Sequence, residues 1–280
     1  MKANRFLLIV LLLFLNVSTR GQNYRFLNDP DGLNDINADN GIENAVTIKV
    51  VYDNYVHIDG LKSDWGYAIV IEGLDKNILF DTGANPDIFE SNFKKMNLDA
   101  GKIDFLVLSH EHGDHTGGIP AFMKMRNDIP VIIPYSFSES FKRRMTDYGY
   151  EPLLVKEPVR ICPDLYSTGE FSEPIAEQAL VLNTKKGLVV MTGCSHPGLL
   201  EMLSEIKLKF NKDIYMVFGG FHLLNKSNGE MKSIIEGLES LGVVKCGATH
   251  CTGENQTEMI KEAFGPDFIK LGVGNTIIIN

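Results

Sequence analysis

Two spacings of apolar and polar positions alternate along the chain. Short runs rich in Val, Ile, Leu and Phe predict strands at 46–52, 67–71, 77–80, 105–108, 130–133, 178–184, 188–191, 214–218, 243–248 and 276–279. Between them, apolar residues recurring every three to four positions predict helices at 86–96, 119–126, 138–148, 198–209, 230–241 and 254–264. Strands alternating with amphipathic helices are the pattern of an α/β fold built in packed layers. The stretch 151–174 carries four prolines and little periodicity, so it reads as a connecting loop over the surface, with a place on a substrate cleft as the sharper alternative.

The N-terminus follows a different rule. Lys2 and Arg5 precede an unbroken apolar run at 6–15, and Ser18, Thr19 and Gly21 supply small residues after it. The run is too short to span a bilayer, which takes about 20 apolar residues, and it has the layout of a signal peptide ending near Gly21. The expected division is a signal peptide over 1–21, a flexible linker rich in Asn, Asp and Gly over 22–44, and one folded domain over 45–280. The mature protein would then be periplasmic or secreted, with no stable membrane insertion.

A net charge of -9 with no basic arm or stripe argues against a nucleic-acid surface, which relies on clustered Lys and Arg. The expected partner is a small-molecule substrate. Four cysteines, Cys162, Cys194, Cys246 and Cys251, are too few and too irregularly spaced for a disulfide framework, although export would permit one bridge.

The chemistry is concentrated after the strands, where rigid scaffolds present functional groups. Residues 108–118 read Leu-Ser-His-Glu-His-Gly-Asp-His-Thr-Gly-Gly, so that His110, His112, Asp114 and His115 crowd into one turn. Three of the chain's seven histidines fall there, which a merely solvated turn would not require. Imidazole nitrogens and carboxylate oxygens ligate zinc, iron and manganese, and Gly113 gives the backbone freedom to fold the ligands toward one point. Upstream, Phe80-Asp81-Thr82-Gly83 ends a strand; taken alone, Asp-Thr-Gly is only a turn. Downstream, Gly193-Cys194-Ser195-His196 and Thr249-His250-Cys251-Thr252-Gly253 each follow an apolar strand, and Gly219-Gly220-Phe221-His222-Leu223 lies between them. His57 stands outside every motif and reads as a surface or structural residue.

The His-x-His-x-Asp-His pattern resembles the metallo-β-lactamase superfamily, over roughly 46–280 of this chain. The resemblance implies a four-layer αβ/βα sandwich holding two divalent metal ions, zinc in the first instance with iron or manganese as alternatives. It assigns His110 and His112 to one metal and Asp114 and His115 to the second, with Asp81 supporting the imidazoles from behind. A lone histidine at 196 could cap or pack, but site one then lacks a third protein ligand, which favours His196 as that ligand, and His250 would complete site two. The three downstream motifs, in this order, resemble a narrower branch, the 7,8-dihydropterin-6-methyl-4-(β-D-ribofuranosyl)aminobenzene 5'-phosphate synthase-like proteins. That branch implies an enzyme acting on a phosphorylated or pterin-like small molecule.

One departure bears on the site. Many superfamily members supply a bridging Asp where this chain has Cys194, so Cys194 either ligates or bridges as a thiolate or is a small buried residue. His222 is divided in the same way between a substrate-facing role and a structural one. The activity expected is hydrolysis: two cations lower the pKa of a shared water toward about 7, hydroxide attacks a small phosphoester or, second, a cyclic amide or ester, and Asp114 and His222 are the candidate catalytic groups. Two rivals are a di-metal redox protein and a non-catalytic metal- or ligand-binding protein. Redox relatives usually carry a carboxylate where His112 stands and need a flavin partner, and the full set of ligands argues against a decayed site.

Overall fold

Along one strand Val189 and Met191 face one apolar cluster while Leu188 and Val190 face another, and all four are fully buried. A strand covered on both faces needs no polar alternation, which is why its sequence reads as a continuous apolar tract. The computed structural model describes residues 13–19, 22–28, 33, 36 and 41–280.

Among these residues nine strands form the first sheet: β1 (Leu13–Thr19), β2 (Gln22–Asn28), β3 (Val46–Tyr52), β4 (Ala68–Glu72), β5 (Ile78–Phe80), β6 (Phe105–Val107), β7 (Pro130–Pro134), β8 (Glu151–Val155) and β15 (Thr276–Ile279). Their spatial order is β1-β2-β8-β7-β6-β5-β4-β3-β15. The second sheet holds β9 (Val159–Cys162), β10 (Leu165–Ser167), β11 (Leu180–Thr184), β12 (Gly187–Thr192), β13 (Ile214–Gly220) and β14 (Lys245–Thr249), in the order β14-β13-β12-β11-β10-β9. The sheets meet face to face through Val50, Ile69, Phe80 and Val107 on one side and Leu182, Val189, Met191 and Phe218 on the other.

Helices cover both outer faces. On the first sheet lie α1 (Pro86–Lys95), α3 (Ile119–Met125) and α4 (Glu139–Asp147), which bury Phe89, Phe93, Phe122 and Phe141. On the second lie α5 (Leu199–Phe210), α6 (Asn228–Ser240) and α7 (Glu254–Phe264), which bury Met202, Leu203, Met231, Leu238 and Ile260. This is the four-layer αβ/βα sandwich expected. Local sequence sets the helix starts: Asn85 accepts from the amides of Asp87 and Ile88 ahead of Pro86, and Ser227 with Glu230 forms a reciprocal cap. A one-turn helix, α2 (Gly113–Thr116), lies inside the histidine motif.

Strand direction places the site. β5, β6, β7 and β8 run parallel, and so do β12, β13 and β14, so the C-terminal ends within each set open on one edge.

Two readings of irregular structure are corrected. The stretch 151–174 is not a wandering loop, because β8, β9 and β10 all fall within it. Leu153, Leu154, Val159 and Ile161 are buried there. Pro152, Pro158 and Pro163 interrupt the periodicity without preventing pairing, since Pro152 sits opposite Val131 in β7 and the other two fall just outside strands. The expected linker over 22–44 contains β2, which pairs parallel with β8 at Arg25 and Phe26 and buries Tyr24 and Leu27. The signal-peptide reading of 1–21 lies outside the described residues except for Leu13–Thr19, which pairs antiparallel with β2. Other boundaries differ from expectation by one or two residues, as helix and strand ends generally do.

Phe122 is fully buried with its ring 6.3 Å from those of Phe89 and Phe93. Phe122→Ala should lower the unfolding free energy by about 3–5 kcal/mol in urea titration. A change below about 1 kcal/mol would show that this helical layer is not packed as described.

Candidate metal centre

Asp81 ends β5 with a left-handed backbone, φ 60°, and its carboxylate is fully buried. Oδ1 accepts from the Ser109 amide at 2.7 Å, and Oδ2 accepts from Ser109 Oγ and from His115 Nδ1, each at 2.7 Å. Ser109 Oγ, having donated its proton to Asp81, accepts from His110 Nδ1 at 2.9 Å. His250 Nδ1 lies 2.9 Å from Asn54 Oδ1, and the Asn54 amide in turn donates to the His250 carbonyl at 3.2 Å. In all three histidines Nδ1 faces a partner behind the ring and Nε2 faces forward.

Those forward nitrogens converge. His110 Nε2 is 3.1 Å from His112 Nδ1 and 3.2 Å from His196 Nε2. His115 Nε2 is 3.1 Å from His250 Nε2, and Asp114 Oδ2 lies 3.3 Å from His250 Nε2 and 3.7 Å from His115 Nε2. Two Nε2 atoms face to face at this spacing either share one proton or take a cation between them. Nitrogens about 2.0–2.1 Å from a tetrahedral zinc stand about 3.3 Å apart, close to the spacing seen. The donor set therefore fits metal ions.

Cys194 joins the two groups. Its Sγ is 3.2 Å from His115 Nε2, and its ligand atom falls within 4.8 Å of those of His110 and His196 on one side and of His115 and His250 on the other. All four cysteines are free.

Electrostatics follow from burial and from these partners. Burial opposes charging His115, but the Asp81 carboxylate outweighs it and raises the pKa to about 9. Burial opposes ionising Asp114 as well, yet its hydrogen bond to His250 and the nearby imidazoles hold its carboxyl well below the usual range. His110 and His196 are pushed down, first by burial and then by their neighbouring imidazoles, His196 to about 3. One side of the centre thus attracts positive charge, and the other keeps its nitrogens neutral and available.

The backbone bends at the site. Among the described residues, Asp81, Ser195, His222 and His250 are four of the seven non-glycine residues with positive φ, a conformation that costs on the order of 1 kcal/mol or more each and collects at functional sites. Close approach between loops also matters: a Cβ on Gly193 would meet Ser109 Oγ at 2.2 Å.

Each expected ligand is placed in this cluster: His110, His112, Asp114, His115, His196 and His250, with Cys194 between the groups and Asp81 behind them. His222 stands at the rim, exposed, with its ring 4.2 Å from that of His196. Its pKa is raised by a hydrogen bond to Cys251, against the opposing effect of burial. His57 lies apart, near Asn275.

Four contributors escaped the sequence reading. Glu177 is fully buried and accepts from the amides of Cys194, Ser195 and His196, each at 2.8 Å, so it shapes the whole turn. Ser109 relays between Asp81 and His110, and Asn54 fixes His250. Trp65 covers the centre, its Nε1 donating to Asp114 Oδ2 at 2.9 Å and its ring 5.2 Å from that of His250. Only Ser109, inside the histidine motif, had a local signal. Glu111, also within the motif, faces away and accepts from Ser138 N at 2.7 Å.

A profile of the metallo-beta-lactamase superfamily matches residues 66–193. A 7,8-dihydropterin-6-methyl-4-(beta-D-ribofuranosyl)-aminobenzene-5'-phosphate synthase of Methanocaldococcus jannaschii is 32% identical over 77% of this chain and 90% of its own. Among solved structures, a metal-dependent hydrolase of the beta-lactamase superfamily superposes with a TM-score of 0.70 at 28% identity, covering 83% of this chain and 98% of that one. The metallo-beta-lactamase fold protein YhfI from Bacillus subtilis superposes with a TM-score of 0.63 at 15% identity, covering 84% of this chain and all of its own, a likeness of fold.

Glu177→Gln keeps the shape and removes the charge that three amides point at. Zinc affinity, read by chelator competition, should fall about 10- to 100-fold, the usual effect of losing a group that orients ligands. Unchanged affinity would show that the turn holds its shape without Glu177.

Proposed function

The chain belongs to the metallo-β-lactamase superfamily, in the branch that resembles the dihydropterin-linked synthase, and on that premise we propose that it is a hydrolase of small phosphoesters dependent on two divalent cations. The observation that carries the reading is the convergence of seven ligand-bearing side chains into two groups that share Cys194. His110, His112 and His196 would hold one cation and Asp114, His115 and His250 the other, with zinc favoured by the nitrogen and sulfur donors. When bound, such a pair acidifies a shared water toward neutrality and polarises the bond to be broken.

The protein's own groups do the rest. Asp81, Ser109 and Asn54 fix three imidazole tautomers, so that the ligands need no reorganisation during turnover. Trp65 limits water over Asp114 and holds that carboxylate by its indole N–H. A cleft of about 400 Å³ opens beside His196 and His222, with Leu199, Phe221 and Leu223 as an apolar wall and Lys226 as a cation at the margin. That lining suits a small molecule with a flat apolar part and an anionic part. His222, exposed on this cleft, is placed to hydrogen-bond the leaving group and return its proton. A larger cavity of about 720 Å³, lined by Asn54, Tyr55, Lys261 and Lys270 among others, contains none of the converging ligands.

A cyclic amide or ester is the second substrate class for the same centre. Transfer to an organic acceptor in place of water is a rival reaction, favoured by the synthase activity in the name of the Methanocaldococcus relative. Product analysis in ¹⁸O-labelled water distinguishes them, because only hydrolysis leaves the label in the product.

The purified protein should hydrolyse bis(p-nitrophenyl) phosphate, and His110→Ala should reduce turnover by at least about 100-fold, beyond the usual effect of losing a mere orienting group. Chelation should abolish the activity and added zinc should restore it. Turnover undiminished by His110→Ala would refute metal-dependent hydrolysis.

A further inference from the structure

Cys251 belongs to neither proposed cation group, yet its position differs from that of an ordinary core thiol. Cys162 and Cys246 lie within strands and pack in the apolar clusters. Cys251 instead follows His250 in a tight turn, where its Sγ lies 3.1 Å from Cys194 Sγ. The His222 amide donates to Cys251 Sγ at 3.2 Å, and the ligand atoms of Cys194, His222 and Cys251 all fall within 4.8 Å of one another. Two free sulfurs therefore stand side by side at the junction of the metal centre, on turns that each carry a candidate ligand, His196 and His250. A disulfide requires about 2.05 Å between sulfurs, so closing the pair takes a movement of only about 1 Å.

We propose that Cys194 and Cys251 are a peroxide-sensitive modification site, and that their reversible disulfide disables the metal centre. The first part rests on the thiol pair alone, and the second rests on the reading of Cys194 as a shared ligand. The Cys251 sulfur attacks one oxygen of hydrogen peroxide; the O–O bond breaks, the departing hydroxide takes up the Cys251 thiol proton and leaves as water, and Cys251 becomes a sulfenic acid. The Cys194 thiolate then displaces hydroxide from the sulfenic sulfur as the S–S bond forms. One thiol and one thiolate lose two electrons and one proton, and peroxide is reduced to one water and one hydroxide. Cys194 in a disulfide has no thiolate left to share between cations, so the two histidine groups lose their common ligand.

The test uses the full-length, zinc-loaded protein, exposed to one equivalent of hydrogen peroxide. Peptide mapping under non-reducing conditions should find Cys194 joined to Cys251. A chromogenic chelator should detect zinc release, and dithiothreitol followed by zinc should reverse both changes. Cys251→Ser should give no crosslink and should keep its zinc under the same dose. Oxygen adducts on separate cysteines with no crosslink, or a crosslink that involves Cys162 or Cys246, would overturn the thiol-pair proposal. A Cys194–Cys251 crosslink that leaves both zinc ions bound would instead refute Cys194 as a metal ligand, and the switch with it.

Discussion

One buried carboxylate organises the centre. Asp81 is cut off from water, and a charge so placed is tolerated only when its oxygens are fully used. Here they are used by the Ser109 amide, the Ser109 hydroxyl and His115 Nδ1. Satisfying Asp81 therefore pins the start of the histidine motif and its last ligand in one stroke. It also fixes, through Ser109, which nitrogen of His110 faces the cations. The stabilisation of the acid and the preparation of the metal centre are the same set of hydrogen bonds.

The same device recurs on the other sheet. Glu177 spends its carboxylate on three successive amides and so bends the turn that carries Cys194 and His196. Asn54 does for His250 what Ser109 does for His110. The sheets supply the rigid ends: β5 and β6 on one side, and β12, β13 and β14 on the other, stop at the edge where the ligands gather. Four backbone residues held at positive φ are the conformational cost of turning the ligands inward, and the buried hydrogen bonds hold them there.

Much of this was legible in the chain itself because it is local. Apolar tracts locate most of the strands, and the crowding of His110, His112, Asp114 and His115 announces ligand chemistry. His196 and His250 were found because each follows an apolar strand in a turn containing Gly. What escaped depends on distance in sequence. Glu177 looks like any acid before a strand, and only folding brings it beneath residues 194–196. Asn54 and Trp65 lie in a segment without periodicity, and their partners His250 and Asp114 are far along the chain. β8, β9 and β10 were hidden by prolines whose missing N–H groups the sheet tolerates. β2 lay in a stretch whose Asn and Asp content masked Tyr24 and Leu27. The proximity of Cys194 and Cys251, 57 positions apart, has no local signal at all.

In this centre two groups of ligands share one sulfur between two cations. Anomalous diffraction at the zinc edge from metal-loaded crystals measures it directly. Two peaks about 3.5–4 Å apart should appear, one among His110, His112 and His196 and the other among Asp114, His115 and His250, both within about 2.3 Å of Cys194 Sγ. A single peak, or two peaks with the sulfur bound to neither, would contradict it.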